Sequence, residues 1–262
     1  MFYEIGPIRP PSESQSLLIR VTRGYHWNKC YFCGLYKDCN FSTRHVDDVI
    51  EDIKKAAEIY KNHNYTSCFL QDSDAFVLST NRLLPIVEAV KREFPNMKYI
   101  TSYARVDSIL RKSESEIVEL KQAGLNHLYC GMESGCDDVL KLINKGVTAE
   151  QVEEAGILAK KAGMILSEFI LLGIGGKKYS EDNALMTAKV LNAIKPDYIR
   201  VHATAIKPDT QLGEMLKNGT FELQSEEEIV REQKLFIENL EEINSYYVNE
   251  HIVNLLLEVR GI

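Results

Sequence analysis

The sequence predicts an α/β fold built on a parallel sheet. Two observations carry this expectation. Short β-rich apolar runs alternate along the chain with longer segments of helical period, and the chemically unusual residues collect just after those runs. A third observation bounds the size: 262 residues suit two ordinary domains or one closed or half-closed barrel of βα units, which runs to roughly 250 residues.

Six apolar runs are placed as strands, at Leu17–Arg23, Ser67–Gln71, Tyr99–Tyr103, His127–Gly131, Leu166–Leu172 and Tyr198–Ala203. Amphipathic helices fill the gaps. The first, Val46–Lys61, sets Val46, Val49, Ile50, Ile53, Ala57 and Tyr60 on one stripe and Asp47, Glu51, Lys54 and Lys61 on the other face. Further helices are expected over Arg82–Phe94, Glu114–Ala123, Asp137–Asn144, Ala149–Ala162, Glu181–Ala193 and Glu226–Glu242. Ser180 and Ser225 suit N-caps, because a serine oxygen accepts from the free amides of a first turn. Gly124 and Gly163 suit stops, because glycine takes left-handed backbone without strain. Lys207 to Gln224, carrying Pro208, Gly213 and Gly219, reads as a long excursion before the last helices.

Hydrophobic content of 45% and charged content of 26% are those of a globular chain with a sizeable core. A net charge of −7 argues against nucleic acid as a partner, since sequence-independent binding rests on many contacts from Lys and Arg to phosphate. No stretch approaches the roughly 18 apolar residues of a membrane span. Met1 to Pro11 carries Glu4, Arg9 and prolines in place of a leader's apolar core. A cytoplasmic protein without a membrane partner is expected, in a reducing compartment that keeps thiols free.

Cys30, Cys33 and Cys39 put half of the 6 cysteines in one short stretch after the first strand. Thiolates are soft ligands for iron–sulfur clusters and zinc, and a two-residue spacer directs both sulfurs at a common centre. A redox dithiol is the competing reading of the same spacing. Cys68 and Cys130, inside apolar runs, read as core residues, and Cys136, at a helix start, as a packing residue. His45, His63 and His127 read as solvated or capping groups. His251, four residues before Leu255 on an apolar final helix, reads as a core histidine able to close over the mouth. In parallel α/β folds ligands collect at the carboxyl ends of the strands. Those ends here carry Cys30 and Cys33, Gln71-Asp72-Ser73-Asp74, Tyr103 and Arg105, Glu133-Ser134-Gly135, Gly173-Ile174-Gly175-Gly176, and His202 with Thr204.

Three stretches resemble the radical S-adenosylmethionine (SAM) superfamily: Trp27-Asn28-Lys29-Cys30-Tyr31-Phe32-Cys33-Gly34-Leu35-Tyr36; Gly131-Met132-Glu133-Ser134-Gly135 leading into Asp137-Asp138-Val139-Leu140; and Gly173-Ile174-Gly175-Gly176. Gly6 to Glu13 and His251 to Leu256 are similar to an uncharacterised cytoplasmic branch of that superfamily. The resemblance implies a partial (β/α)6 TIM-like barrel of parallel strands over residues 1–206, with residues 207–262 as a carboxyl-terminal loop and helical extension packed on it. It also implies a [4Fe–4S] cluster held by three cysteines, SAM on the fourth iron, and an electron donor such as a ferredoxin or flavodoxin. The implied enzyme cleaves SAM, its small-molecule cofactor, reductively, giving a 5′-deoxyadenosyl radical that acts on an unassigned substrate.

Two of the implied iron ligands map to Cys30 and Cys33. The third is expected just before Cys30, where this chain has His26 and Tyr25, four and five residues earlier. Either Cys39, by chemistry, or His26, by position, completes the set. The resemblance assigns SAM contacts to Gln71, Asp72, Ser73 and Asp74 for the amino group, Tyr103 and Arg105 beside the carboxylate, Glu133 and Ser134, and Gly173, Gly175 and Gly176 along the adenine. Read without it, the 71–74 loop is a solvated turn, Arg105 an internal ion pair, and the glycines a turn. His202, Thr204 and Glu168 are candidates for substrate contact inside the barrel. The alternative is a Cys3His zinc site made by His26, Cys30, Cys33 and Cys39, or a cluster-less SAM-fold protein, with a binding or structural role.

Overall fold

The structure is a computed structural model and describes residues 6–249, 254, 260 and 261. The described residues fall into two compact units. The first draws on Met1–His26, Tyr36–Tyr129 and Leu158–Ile165, the second on Trp27–Leu35, Cys130–Ile157 and Leu166–Ile262. The stretch expected as an extension, from Lys207 on, belongs to the second.

The first unit contains β1 (Leu17–Arg20), β2 (Thr22–Arg23), β3 (Ser42–Thr43), α1 (Val46–Ile59), β4 (Ser67–Gln71), α2 (Thr80–Glu93), β5 (Tyr99–Ala104), α3 (Val106–Leu110) and α4 (Glu114–Ala123). β6 (Leu125–Glu133) begins there and ends in the second unit. Strand order is β1-β4-β5-β6. Leu17 lies opposite Cys68, and Cys68 opposite Ile100, both pairings parallel. The expected first strand stops at Arg20. Beyond it the Val21 carbonyl accepts from the Arg44 amide (3.1 Å), and β2 pairs with β3 as a separate antiparallel ribbon.

Helix burial follows the apolar period. Val49 and Ile53 of α1, Leu83, Ile86 and Val87 of α2, and Ile117 and Leu120 of α4 are fully buried, each contributing about 1.5–3 kcal/mol. Tyr60 departs from its expected stripe. α1 ends at Ile59, so Tyr60 is exposed and its ring meets those of His63 and Tyr65 instead. α4 opens on a capping box of Ser113 and Glu116 and stops at Gly124, whose φ is 125°. His127 is no surface group: it is buried on β6, stacked on Tyr129 with ring centroids 4.2 Å apart.

The second unit continues with α5 (Asp137–Leu142), α6 (Ala149–Lys161, shared between the units), β7 (Ile165–Leu172), α7 (Ser180–Ile194), β8 (Tyr198–Ala203), α8 (Gln211–Lys217), α9 (Glu226–Glu238), β9 (Tyr246–Val248) and β10 (Arg260–Gly261). Its strand order is β6-β7-β8-β9-β10. β7, β8 and β9 are parallel, and β10 is antiparallel to β9. β9 adds a parallel strand to the expected six. α9 stops short of Glu242 because the Asn239 side chain donates to the Leu235 carbonyl (2.8 Å) and closes the helix end.

Ser225 caps α9 in a box with Glu228, as its sequence suggests. Ser180 does not cap α7. Tyr179 holds that position, while the Ser180 hydroxyl donates to buried Glu232 (3.0 Å). His251 lies outside the described residues. Among the described residues no helix is long and apolar enough to cross a membrane.

Candidate active site

In the second unit, the loop bearing Cys30 and Cys33 has no regular structure and is held by its neighbours. The Tyr31 amide donates to the Ile143 carbonyl (2.9 Å), and the Tyr31 carbonyl accepts from the Leu212 amide (2.9 Å). The Trp27 indole N–H donates to the Asn144 carbonyl (3.1 Å), and the Asn144 side chain returns a bond to the Lys29 carbonyl (3.0 Å). Phe32 packs on the apolar cluster of Val139, Ile143, Ile174, Leu212 and Phe221. Cys30 is buried, Cys33 half-buried, and neither is in a disulfide.

Glu133 ends β6 with φ at 66°, a conformation uncommon outside glycine. Its carboxylate accepts from the Lys145 ammonium at 2.8 Å, in a pair whose side chains are 14% and 4% exposed. Gly131 makes room for this pair, because a Cβ there would run into the Glu133 carboxylate. Ser134 is fully buried. Its hydroxyl donates to Asn183 (2.6 Å) and accepts from the Cys136 amide (3.0 Å), while the Gly135 amide donates to the Thr187 hydroxyl (2.8 Å). The loop after β6 is thus bolted to α7.

The glycines after β7 form a turn, with the Gly176 amide donating to the Gly173 carbonyl (3.1 Å). A Cβ on Gly176 would lie 2.6 Å from the Glu222 carbonyl, and one on Gly175 2.9 Å from Cβ of Tyr179. The close approach these glycines permit is therefore to the chain itself. The Gly173 amide donates to Glu232 (3.1 Å), a carboxyl whose pKa burial raises against four hydrogen-bond donors.

The candidate substrate residues do not share a face. Glu168 lies opposite Ile199 and Leu171 opposite His202, so strand alternation sends Glu168 and His202 to opposite sides. His202 meets Phe169 with ring centroids 5.3 Å apart, and the Thr204 hydroxyl donates to the Leu172 carbonyl (2.7 Å). Glu168 is buried beside Cys130, and burial pushes its pKa up to about 8. The Cys130 and Cys68 thiols are raised by burial as well, as inert core thiols should be.

In the first unit, the loop after β4 turns its side chains inward. Asp72 forms a buried pair with Arg20 through Nε (3.1 Å) and Nη2 (2.9 Å). Ser73 donates to the Gly24 carbonyl (2.6 Å), and Gln71 to the Ile8 carbonyl (3.2 Å). Asp74 accepts from Ser108 (2.6 Å), and its burial raises its pKa to about 6. His26 stands between two carboxylates, with Nδ1 3.6 Å from Asp74 and Nε2 3.4 Å from Asp107. Burial alone would raise Asp107, but His26, Arg105 and Arg111 outweigh it and bring its pKa down to about 2. Arg105 is buried with Nε against Asp107, the internal ion pair its position allowed. The Tyr103 ring packs edge-on against Phe69, centroids 5.1 Å apart. Cys39 is a half-buried free thiol whose amide donates to the Tyr36 carbonyl (3.0 Å).

Sequence reasoning missed Lys145, Asp107 and the clasp of Asn144 on Trp27. Only the Asn144-Lys145-Gly146 turn signal marks the first, and nothing local marks the others. Among the described residues no three His, Cys, Asp or Glu side chains stand together as a ready-made metal group. Cys30, Cys33 and Cys39 nevertheless lie on one connection with no disulfide among them, and thiolates are the donors an iron–sulfur cluster takes.

A parallel α/β sheet with a cysteine-bearing loop after its first strand and an ion-paired carboxylate at the end of β6 places the chain among α/β proteins that gather polar groups at their strand ends. Residues 27–191 match the profile of the radical SAM superfamily, and the chain belongs to that superfamily. It is 27% identical over 202 residues to an uncharacterized methyltransferase of Pyrococcus horikoshii, covering 75% of this chain and 41% of the relative. It is 28% identical over 119 residues to the tRNA uridine(34) acetyltransferase of Methanocaldococcus infernus, covering 45% of this chain and 22% of that protein. The chain thus spans less than half the length of either relative. Coproporphyrinogen III oxidase from Escherichia coli shares the fold, with a TM-score of 0.63 at 16% identity over 86% of this chain and 52% of that one. The α/β fold of parallel strands expected from the sequence is that of the superfamily's partial barrels.

Proposed function

We propose that this chain is a radical SAM iron–sulfur enzyme. Cys30, Cys33 and Cys39 hold the cluster, and the Gln71–Asp74 loop, Tyr103, Arg105, Glu133, Ser134, Gly173 and Gly175 frame the SAM site. A bound [4Fe–4S] cluster with SAM supplies one-electron reductive cleavage to methionine and a 5′-deoxyadenosyl radical able to take hydrogen from a substrate. The chain's own residues bind and orient. Glu133 offers an acceptor to SAM, the inward side chains of Asp72 and Ser73 fix the course of the loop after β4, and Ser134 locks the loop after β6. A one-electron donor of the ferredoxin or flavodoxin class is the expected partner, in the cytoplasm.

The observation that carries this reading is the loop bearing Cys30 and Cys33, neither in a disulfide, pinned to the turn that also presents Lys145 to Glu133. Cys39 is favoured as third ligand because it is the remaining thiol on the connection, whereas the His26 Nε2 already meets Asp107 at 3.4 Å. Anaerobic reconstitution should give about four irons and four sulfides per chain and, with dithionite and SAM, 5′-deoxyadenosine. His26→Ala should keep that iron count and Cys39→Ala should lose it. A colourless protein carrying one zinc would end the proposal.

A further inference from the structure

We infer that Lys145 is a positioning residue, through which the loop bearing Cys30 and Cys33 sets the place of the Glu133 carboxylate; this rests on the reading of Glu133 as a SAM contact. Lys145 is 3% exposed, and an ammonium so placed is costly unless paired. Replacing a buried ion pair by apolar residues is often neutral or stabilising for a fold. Stability therefore gives no reason to keep this pair, whereas a fixed direction for the carboxylate does.

The backbone settles where Lys145 points. Its neighbours Asn144 and Gly146 both have left-handed φ values, 51° and 76°, and its own amide donates to the Leu140 carbonyl at 2.9 Å. The same turn grips the thiol loop at three points, through Ile143 to Tyr31, Asn144 to Lys29, and the Trp27 indole to Asn144. Gly146 lies directly under the Trp27 ring, where a Cβ would run into the indole. A shift of the thiol loop therefore moves Lys145, and Lys145 carries Glu133 with it.

The test uses the full chain, reconstituted anaerobically, as wild type, Lys145→Met, Lys145→Arg, Glu133→Gln and the Lys145→Met/Glu133→Gln double variant. Iron and sulfide counts report the cluster, and SAM titration followed by the electron paramagnetic resonance of the reduced cluster reports cofactor placement. Lys145→Met should keep the wild-type iron count while its Kd for SAM rises about tenfold or more, as expected for losing a charge-assisted hydrogen bond. Lys145→Arg should recover most of that loss, and the double variant should bind no worse than Glu133→Gln alone.

A Lys145→Met protein that binds SAM as wild type does, or a double variant with additive losses, overturns the inference. A wild type that assembles the cluster yet shows no spectral response to SAM overturns the functional reading instead. Should Lys145→Met fail to fold, Lys145→Gln, which removes the charge and shortens the side chain, is read instead: a Kd for SAM raised severalfold at the wild-type iron count supports the inference, and a wild-type Kd overturns it.

Discussion

Glu168 carries the clearest pH signature in the chain. Its carboxyl, ordinarily near 4.5, is raised by burial to about 8, so the folded state holds a proton that the unfolded chain has already released. The stability this group contributes is then full below about pH 4.5 and is lost as pH rises toward about 8, by up to roughly several kcal/mol. Glu168→Gln should flatten that slope and stabilise the protein at pH 8, as read from urea midpoints at several pH values; an unchanged slope would place the titration elsewhere. Asp107 works in the opposite sense. Held at about 2, it contributes stability above the ordinary carboxylate range that is lost as pH falls toward 2. The cysteine run and Glu133 stand out in the sequence as candidates because clustered thiols and a carboxylate closing an apolar strand are uncommon. Lys145 does not, because its partner lies across a helix and no local pattern encodes that closure. Cys136 was legible as packing and sits in the apolar cluster with Val139 and Ile174.

The helix ends show which local signals decide an element and which are diverted. Ser225 and Glu228 form the reciprocal box their spacing suggests. Ser225→Ala should cost about 1 kcal/mol in thermal or urea unfolding, and a smaller loss would mean the cap is replaced by water. Ser180 has equal intrinsic capping ability, but buried Glu232 needs donors more than the first turn needs an acceptor, so tertiary demand wins. The strands Ser67–Gln71 and Tyr198–Ala203 match their expected limits, helped by a turn former at one end of each, Asp72-Ser73 after the first and Pro196-Asp197 before the second. β9 escaped because three residues are too few to display alternation. The β2–β3 ribbon escaped because Ser42 and Thr43 look like any polar loop. Gly146→Ala belongs to this scale: the added methyl meets Trp27 at a left-handed position, and the variant should load less iron under identical reconstitution even though no ligand is touched.

Neither compact unit is a continuous piece of chain. β6 gives Leu125–Tyr129 to one and Cys130–Glu133 to the other, and α6 is divided near Ile157. A strand or helix cannot be half formed at little cost, because each hydrogen-bonded segment is cooperative. The whole chain should therefore melt in one transition, with circular dichroism and tryptophan fluorescence coincident; two separated transitions would show that the units unfold independently. Residues 1–129 expressed alone should be insoluble or unfolded. The parallel α/β class was readable from alternation over the full length, whereas this interleaving was not, because segments far apart in the chain reveal their shared membership only in three dimensions.

Gly131 gives the smallest handle on the site. It is neither a ligand nor charged, yet the space it leaves empty is where the Glu133 carboxylate sits beside Lys145. An alanine there would act as a wedge, parting the two without deleting either. Such a lesion would leave every recognisable functional residue in place, and a catalogue of ligands would pass it as harmless.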